Sequence, residues 1–281
     1  MRQFEAEILE NRPVAEAWRE LVIDWDPAAG EPRAGQFFMV RVSTFSDPLL
    51  RRPLAFSSFR RAFSSFRRAQ LDDGARASDG KARASAIYQI RGGATRLLSE
   101  LATGSRIDVI GPLGKAFPEP AEGETALLAG GGIGLGPLLF MDDILSGGDA
   151  AKARRLVLGF RSSSLLPSID LPEGTVVCTD DGSSGFKGSP VDWLSRNARK
   201  ATEDGLVRVY GCGPAPMLAA LAGLSAELGW PASLSAEQWM ACGVGACMGC
   251  ALPRADGLGY LRACADGPVF EAGDVDWKAG R

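Results

Sequence analysis

Histidine is absent from the 281 residues. That absence excludes Ser-His-Asp and Cys-His catalysis, zinc sites built on imidazole, Rieske clusters and His-ligated haem. A charge excess is also missing: 31 Lys and Arg stand against 34 Asp and Glu, and a net charge of −3 gives no reason to expect nucleic acid as a partner. Long apolar runs are lacking too. The two longest uncharged stretches, Val209 to Ala226 and Thr125 to Met141, fall short of the roughly 20 residues that cross a bilayer, and Gly and Pro break both. The first residues, Met1-Arg2-Gln3-Phe4-Glu5, carry charge where a signal peptide has its apolar run, so no membrane association and a cytoplasmic location are expected. Cysteine is sparse and uneven. Cys178 and Cys212 stand alone, while Cys242, Cys247, Cys250 and Cys264 crowd together near the end, a pattern of a Cys-based metal site in a reduced chain rather than of a disulfide scaffold.

Residues 1 to about 120 read as short strands. Gln36 to Val42, Ala86 to Ile90 and Arg106 to Ile110 alternate or run apolar between Gly and polar punctuation, and Ala94 to Leu101 reads as a helix. Many strands with one helix predict a small antiparallel barrel. The heptad Ala55-Phe56-Ser57-Ser58-Phe59-Arg60-Arg61 recurs word for word as Ala62 to Arg68. Two copies cannot build a solenoid, so the second copy is expected to be a hairpin or loop insertion without chemistry of its own, and Asp72 to Ser85 is expected to be loop.

From about residue 123 the pattern changes. Thr125 to Ala129, Arg155 to Phe160, Thr175 to Thr179 and Leu206 to Tyr210 read as strands alternating with helices near Pro137, over Ser189 to Arg196 and over Ala215 to Leu228. That alternation predicts a parallel, doubly wound α/β domain. The remainder is too short for a core of its own, and its cysteines are the obvious staple. The expected division is an N-terminal antiparallel β-barrel over residues 1–121, an α/β nucleotide-binding domain over 122–233 and a small cysteine-bearing subdomain over 234–281.

Gly130-Gly131-Gly132-Ile133-Gly134-Leu135-Gly136-Pro137 lies between a predicted strand and a predicted helix. Such a loop lets the backbone approach a pyrophosphate at a helix N-terminus, although a tight structural turn has the same composition. The usual dinucleotide fingerprint is incomplete, because Pro137 stands where it needs Gly and no acidic residue follows the second strand at Gly159-Phe160-Arg161. A second corner, Tyr210-Gly211-Cys212-Gly213-Pro214, ends the last parallel strand and is expected to face the same cleft or to be a plain turn.

Cys242, Cys247 and Cys250 form C-x4-C-x2-C, with Cys264 downstream. This is the plant-type spacing for a [2Fe–2S] cluster. A four-cysteine zinc site is the alternative, but zinc ribbons pair two C-x2-C units and only one is present.

A barrel, a nucleotide-binding α/β domain and a C-terminal [2Fe–2S] loop, in that order, resemble the ferredoxin–NADP reductase superfamily. Within it the chain resembles the electron transfer subunits of the NAD-dependent (type B) dihydroorotate dehydrogenases. The likeness is carried by Pro48 to Leu54, Ala94 to Ser99, Gly111 to Gly114, the glycine loop, Tyr210 to Pro214 and Met240 to Cys250. It implies FAD contacts at Arg52, Pro53, Leu54 and Ala55, at Ile87, Tyr88 and Gln89, and at Ala94 and Thr95. Three positions depart from the family pattern: Ala55 for a hydroxyl (with Ser57 and Ser58 nearby), Gln89 for Arg, and Ala94 for Gly. NAD falls to Gly132, Gly134 and Gly213, and the cluster to the four cysteines. The resemblance also implies a catalytic partner subunit, in a heterotetramer, which oxidises dihydroorotate on FMN. Electrons then pass through [2Fe–2S] and FAD to NAD⁺. A reductase subunit of a sulfite, sulfur or NADH:ferredoxin complex is the alternative, and a zinc-holding scaffold is a third.

Overall fold

The structure, a computed structural model, describes residues 1–43, 47–61, 81–147, 153–202 and 205–279. The second heptad copy, Ala62 to Arg68, therefore lies outside the described residues.

The N-terminal part is one antiparallel sheet of seven strands: β1 (Arg2–Ala15), β2 (Trp18–Trp25), β3 (Phe37–Arg41), β4 (Arg52–Ala55), β5 (Ser58–Arg60), β6 (Ala82–Gln89) and β7 (Arg106–Leu113). Their order is β4-β3-β7-β1-β2-β6-β5. The two edge strands β4 and β5 are joined by Phe56 and Ser57 alone, so the sheet must curl until its edges meet. The Phe56 N–H donates to the Gln36 carbonyl and the Ser57 N–H to that of Ser85, carrying the pairing across the join. Trp25 fills the interior, with the rings of Phe4 and Phe56 edge-on at 5.0 and 5.1 Å. Helix α1 (Gly93–Glu100) closes one end. The amide of Asn11 donates to the carbonyls of Leu98 and Leu101, which the end of α1 leaves without helical partners. The stretch expected to be loop up to Ser85 is instead strand from Ala82. It runs between β2 and β5, and those backbone partners override its weak strand composition.

Next come β8 (Glu124–Gly131), α2 (Leu135–Ser146), β9 (Arg154–Phe160), β10 (Val176–Thr179), β11 (Phe186–Lys187), α3 (Pro190–Thr202), β12 (Leu206–Cys212), α4 (Ala215–Leu228) and β13 (Ala232–Ser235). These strands form a parallel sheet in the order β11-β10-β9-β8-β12-β13. Beyond them lie a small hairpin, β14 (Ala251–Pro253) and β15 (Tyr260–Arg262), and then β16 (Val269–Glu271), which returns antiparallel to β13 and extends the large sheet. The cysteine region thus shares the sheet's hydrogen bonding and does not merely lean on it.

Strand β3 shows how the parts fit. Phe38 and Val40 belong to the apolar cluster inside the barrel, whereas Phe37 and Met39 belong to another, together with Leu252, Ala263, Cys250 and Cys264. Successive side chains point to opposite faces, so a run of four apolar residues means that both faces are covered.

Candidate functional site

The cysteine loop is built on left-handed backbone. Gly243 and Gly245 have φ of 71° and 83°, where a side chain is strained, and Met248 adopts φ of 58°. These reversals aim main-chain N–H groups at sulfur: Val244 at Cys242 Sγ (3.4 Å), Gly245 at Cys264 Sγ (3.1 Å), Gly249 at Cys247 Sγ (3.4 Å) and Cys264 at Cys250 Sγ (3.4 Å). Burial opposes ionisation of Cys242, but the N–H groups of Val244, Cys247 and Ala246 outweigh it and bring the thiol down to about 6. Cys264 goes the other way, to about 12, because burial and the neighbouring Cys250 sulfur both disfavour its thiolate.

Two of the sulfurs are in contact: Cys250 Sγ and Cys264 Sγ are 3.2 Å apart. Among the described residues no three Cys, His, Asp or Glu side chains converge as a single metal ion requires. Arg262 ties the segments together: its fork binds the Asp266 carboxylate (2.9 and 3.0 Å), and its Nη1 donates to the Gly245 carbonyl. The same guanidinium holds the Asp266 carboxyl down at about 2.

The loop is seated on the barrel. A Cβ on Gly243 would lie 2.6 Å from Met39 Cγ and 2.9 Å from its sulfur. Met39 stands opposite Pro53 in the β3–β4 register, so both occupy the same face. Two further contacts join the barrel to the C-terminal region: the Lys115 N–H donates to the Gly267 carbonyl at 2.6 Å, and Arg91 reaches Glu237 at 3.6 Å.

The residues expected at FAD lie on β4, the end of β6 and the start of α1. Arg52 Nη1 donates to the carbonyls of Leu50 and Arg51, and no carboxylate pairs with its guanidinium among the described residues. Neighbouring Arg51 differs. It makes a two-pronged contact with Asp108, at 3.0 and 2.7 Å. Leu54 is buried and packs into the barrel, while Pro53 and Ala55 lie on the opposite face and are partly open. The nearby hydroxyls of Ser57 and Ser58 both meet Ser85 Oγ, at 2.8 and 2.7 Å. Ile87 is buried, and Tyr88, only 2% exposed, donates its hydroxyl to Asn11 Oδ1; burial raises that phenol to about 12, partly offset by Arg19. Gln89 accepts from Arg91 Nε. Ala94 is buried, and the Thr95 hydroxyl accepts the N–H groups of Arg91 and Gly92, shaping the turn into α1.

The two glycine corners lie against each other. After β8 the chain makes a short 3-10 turn at Gly132–Gly134, and α2 begins at Leu135, slightly before Pro137. A Cβ on Gly134 would collide with the Cys212 carbonyl, and one on Gly213 would meet the Gly131 nitrogen at 3.0 Å. Gly132, at φ 54°, faces open space: a Cβ there would have no neighbour within 4 Å. Gly136 lies against Ser57, so the start of α2 rests on the barrel.

Sequence reasoning missed Met39, Asn11 and the Arg262–Asp266 clamp. Only Met39 carried a signal, as an apolar residue on the outward face of a strand whose inward face was already apolar.

Residues 237–276 match the iron-sulfur cluster binding domain of dihydroorotate dehydrogenase B. The chain is 34% identical over 280 residues to the dihydroorotate dehydrogenase B (NAD(+)) electron transfer subunit of Caldanaerobacter subterraneus subsp. tengcongensis, covering 97% of this chain and 98% of that one. It is 35% identical over 284 residues to the same-named subunit of Geobacillus sp. (strain WCH70), covering 98% and 99%. Among solved structures, the NADH-dependent reduced ferredoxin-NADP oxidoreductase superposes with a TM-score of 0.75 at 27% identity, covering 98% of this chain and 91% of that one. Phthalate dioxygenase reductase shares the fold, with a TM-score of 0.56 at 17% identity over 81% of this chain and 64% of that one. With sequence likeness running nearly end to end, the chain belongs to the family of dihydroorotate dehydrogenase B (NAD(+)) electron transfer subunits.

Proposed function

We propose that this chain receives electrons from a dihydroorotate-oxidising catalytic subunit, carries them through a [2Fe–2S] cluster and FAD, and delivers them to NAD⁺. The observation that carries this reading is the cysteine loop seated through Met39 on the face of the barrel that Pro53 shares. The cluster supplies one-electron transfer and the flavin supplies hydride transfer, so no His acid–base group is needed.

The chain's own residues bind and position. Cys242 with Cys247, and Cys250 with Cys264, would each hold one iron, with the loop N–H groups stabilising the sulfur charge. Arg52, free of any carboxylate among the described residues, suits the FAD pyrophosphate, since a guanidinium and a phosphate make a charge-assisted pair. Thr95 shapes the turn where exposed Gly92 and Gly93 leave room for phosphate oxygens at the start of α1. Tyr88 offers main chain, because its side chain points into the barrel, while buried Ile87 lies on the opposite face of β6. Gly132, Gly134 and Gly213 line the corner where NAD would lie. The three-part division at residues 121 and 233 is part of the same reading.

Exposed apolar side chains flank the cluster cysteines: Trp239 is 90% exposed, Met248 49% and Val244 46%. Cys247 is exposed among them. Such side chains suit a buried protein interface, and the catalytic subunit, with FMN, would dock there in a heterotetramer in the cytoplasm. No helix among the described residues is long and apolar enough to cross a membrane. The sulfite, sulfur and NADH:ferredoxin alternatives are not favoured by the family, and the match of residues 237–276 to an iron-sulfur cluster binding domain disfavours the zinc scaffold. Co-expression with the catalytic subunit tests the reading: dihydroorotate-dependent NAD⁺ reduction by the pair supports it, and a pair that forms but reduces NAD⁺ only with another donor overturns it.

A further inference from the structure

We infer that Met39 is a positioning residue for electron exchange, fixing the cluster loop against the flavin strand. The inference rests on the function proposed above and deepens it. Met39 is fully buried in β3. Its backbone belongs to the barrel, paired to Pro53 on β4 and Ile110 on β7. Its side chain leaves the barrel and joins the apolar cluster that contains Cys250 and Cys264. There it lies so close to Gly243, the residue after the ligand Cys242, that even a methyl at Gly243 would fall 2.6 Å from Met39 Cγ. Gly243 is therefore required twice, for its φ of 71° and for the space that Met39 takes.

One side chain thus touches the loop of one centre while its neighbour in register, Pro53, belongs to the segment assigned to the other. Electron exchange between a cluster held by this loop and a flavin held at β4 would form and break no bond. Its rate depends on separation, so a residue that fixes the separation governs the rate. Met39 acts here by packing: an unbranched side chain fills the irregular gap between strand and loop. Removing it leaves a cavity into which the loop can shift, and any added separation slows the exchange.

The test uses the full-length, cofactor-loaded chain reduced anaerobically by NADH in a stopped-flow instrument. Cluster bleaching is compared with flavin bleaching as a ratio of rates. The reduced cluster's electron paramagnetic resonance spectrum is recorded on the same samples. Met39→Ala is expected to lower the ratio severalfold and to shift or broaden the cluster signal. Met39→Leu, which keeps the volume without the sulfur, is expected to restore both. If Met39→Ala does not fold, Met39→Val supplies the intermediate truncation and is expected to lower the ratio less steeply. An unchanged ratio and spectrum in the truncated variant overturns the inference, as does a Met39→Leu protein as impaired as Met39→Ala. Absence of a [2Fe–2S] signal from the wild-type chain overturns instead the function on which the inference rests.

Discussion

Gly134 and Cys212 touch through main chain alone: a Cβ on Gly134 would fall inside the contact distance of the Cys212 carbonyl oxygen. The loop after β8 and the corner after β12 can therefore close on each other only if residue 134 has no side chain. Parallel strands open their carboxyl ends onto one crevice, and this contact sets its floor. Gly134→Ala is expected to destabilise the chain by about 1–3 kcal/mol and to weaken NADH binding. Gly132→Ala meets open space and only left-handed strain, so its effect on stability is expected to be smaller. Thermal melts and NADH titrations of the two variants check this; equal losses would contradict it.

The function proposed above divides the cysteines into ligands and bystanders. Cys212 is a neutral thiol, raised to about 12 by burial, and lies at the glycine corner after β12. Cys250→Ser is expected to remove most of the iron and the cluster colour while flavin is retained, because Cys250 pairs with Cys264 far from β4 in sequence. Cys212→Ser is expected to keep its iron. Iron and flavin content per chain settle both.

Arg51 and Arg52 are adjacent but serve different ends. Arg51 pairs with Asp108 through two hydrogen bonds in a half-buried site. Arg51→Ala is expected to cost roughly 1 kcal/mol of stability by removing that ion pair and leaving Asp108, among the described residues, only the amide of Gln3. Arg52→Ala is expected to leave the melting of the flavin-free chain nearly unchanged and to weaken FAD retention on a desalting column. A reversal of the two phenotypes would contradict the assignment of Arg52.

Tyr88 makes stability depend on pH. Burial raises its phenol from 10.0 to about 12, so the folded chain holds the proton that the unfolded chain releases. Stability from this group is fully present below pH 10 and is lost as the pH rises from there towards about 12. Tyr88→Phe is expected to cost about 1 kcal/mol at neutral pH through the lost bond to Asn11. It is also expected to flatten the alkaline decline. A residual slope remains, because burial also raises Tyr210. Urea unfolding at several pH values from neutral to alkaline reads the difference between the two proteins.

The parts of the fold legible in the sequence were those set by short-range pattern. The cysteine spacing, the alternation of strands and helices after residue 123, and the whole of α4 needed only local signals. Strand β1 shows why others were hidden. Phe4, Ala6 and Ile8 alternate inward, but a register shift between Ile8 and Glu10 breaks the period, and charged residues follow. Strand β16 was invisible for another reason: three residues become a strand only because β13 is waiting for them. The same holds at the site. Four cysteines announce a cluster, yet nothing local says that Met39, far earlier in the chain, forms its seat.

Anaerobic titration of the purified full-length chain with NADH tests the central claim most directly. The account predicts that the flavin bands and the cluster bands both bleach, and that a [2Fe–2S] paramagnetic signal appears with stoichiometric iron. A chain that folds and binds NADH but bleaches flavin alone, with zinc in place of iron on its four cysteines, would contradict it.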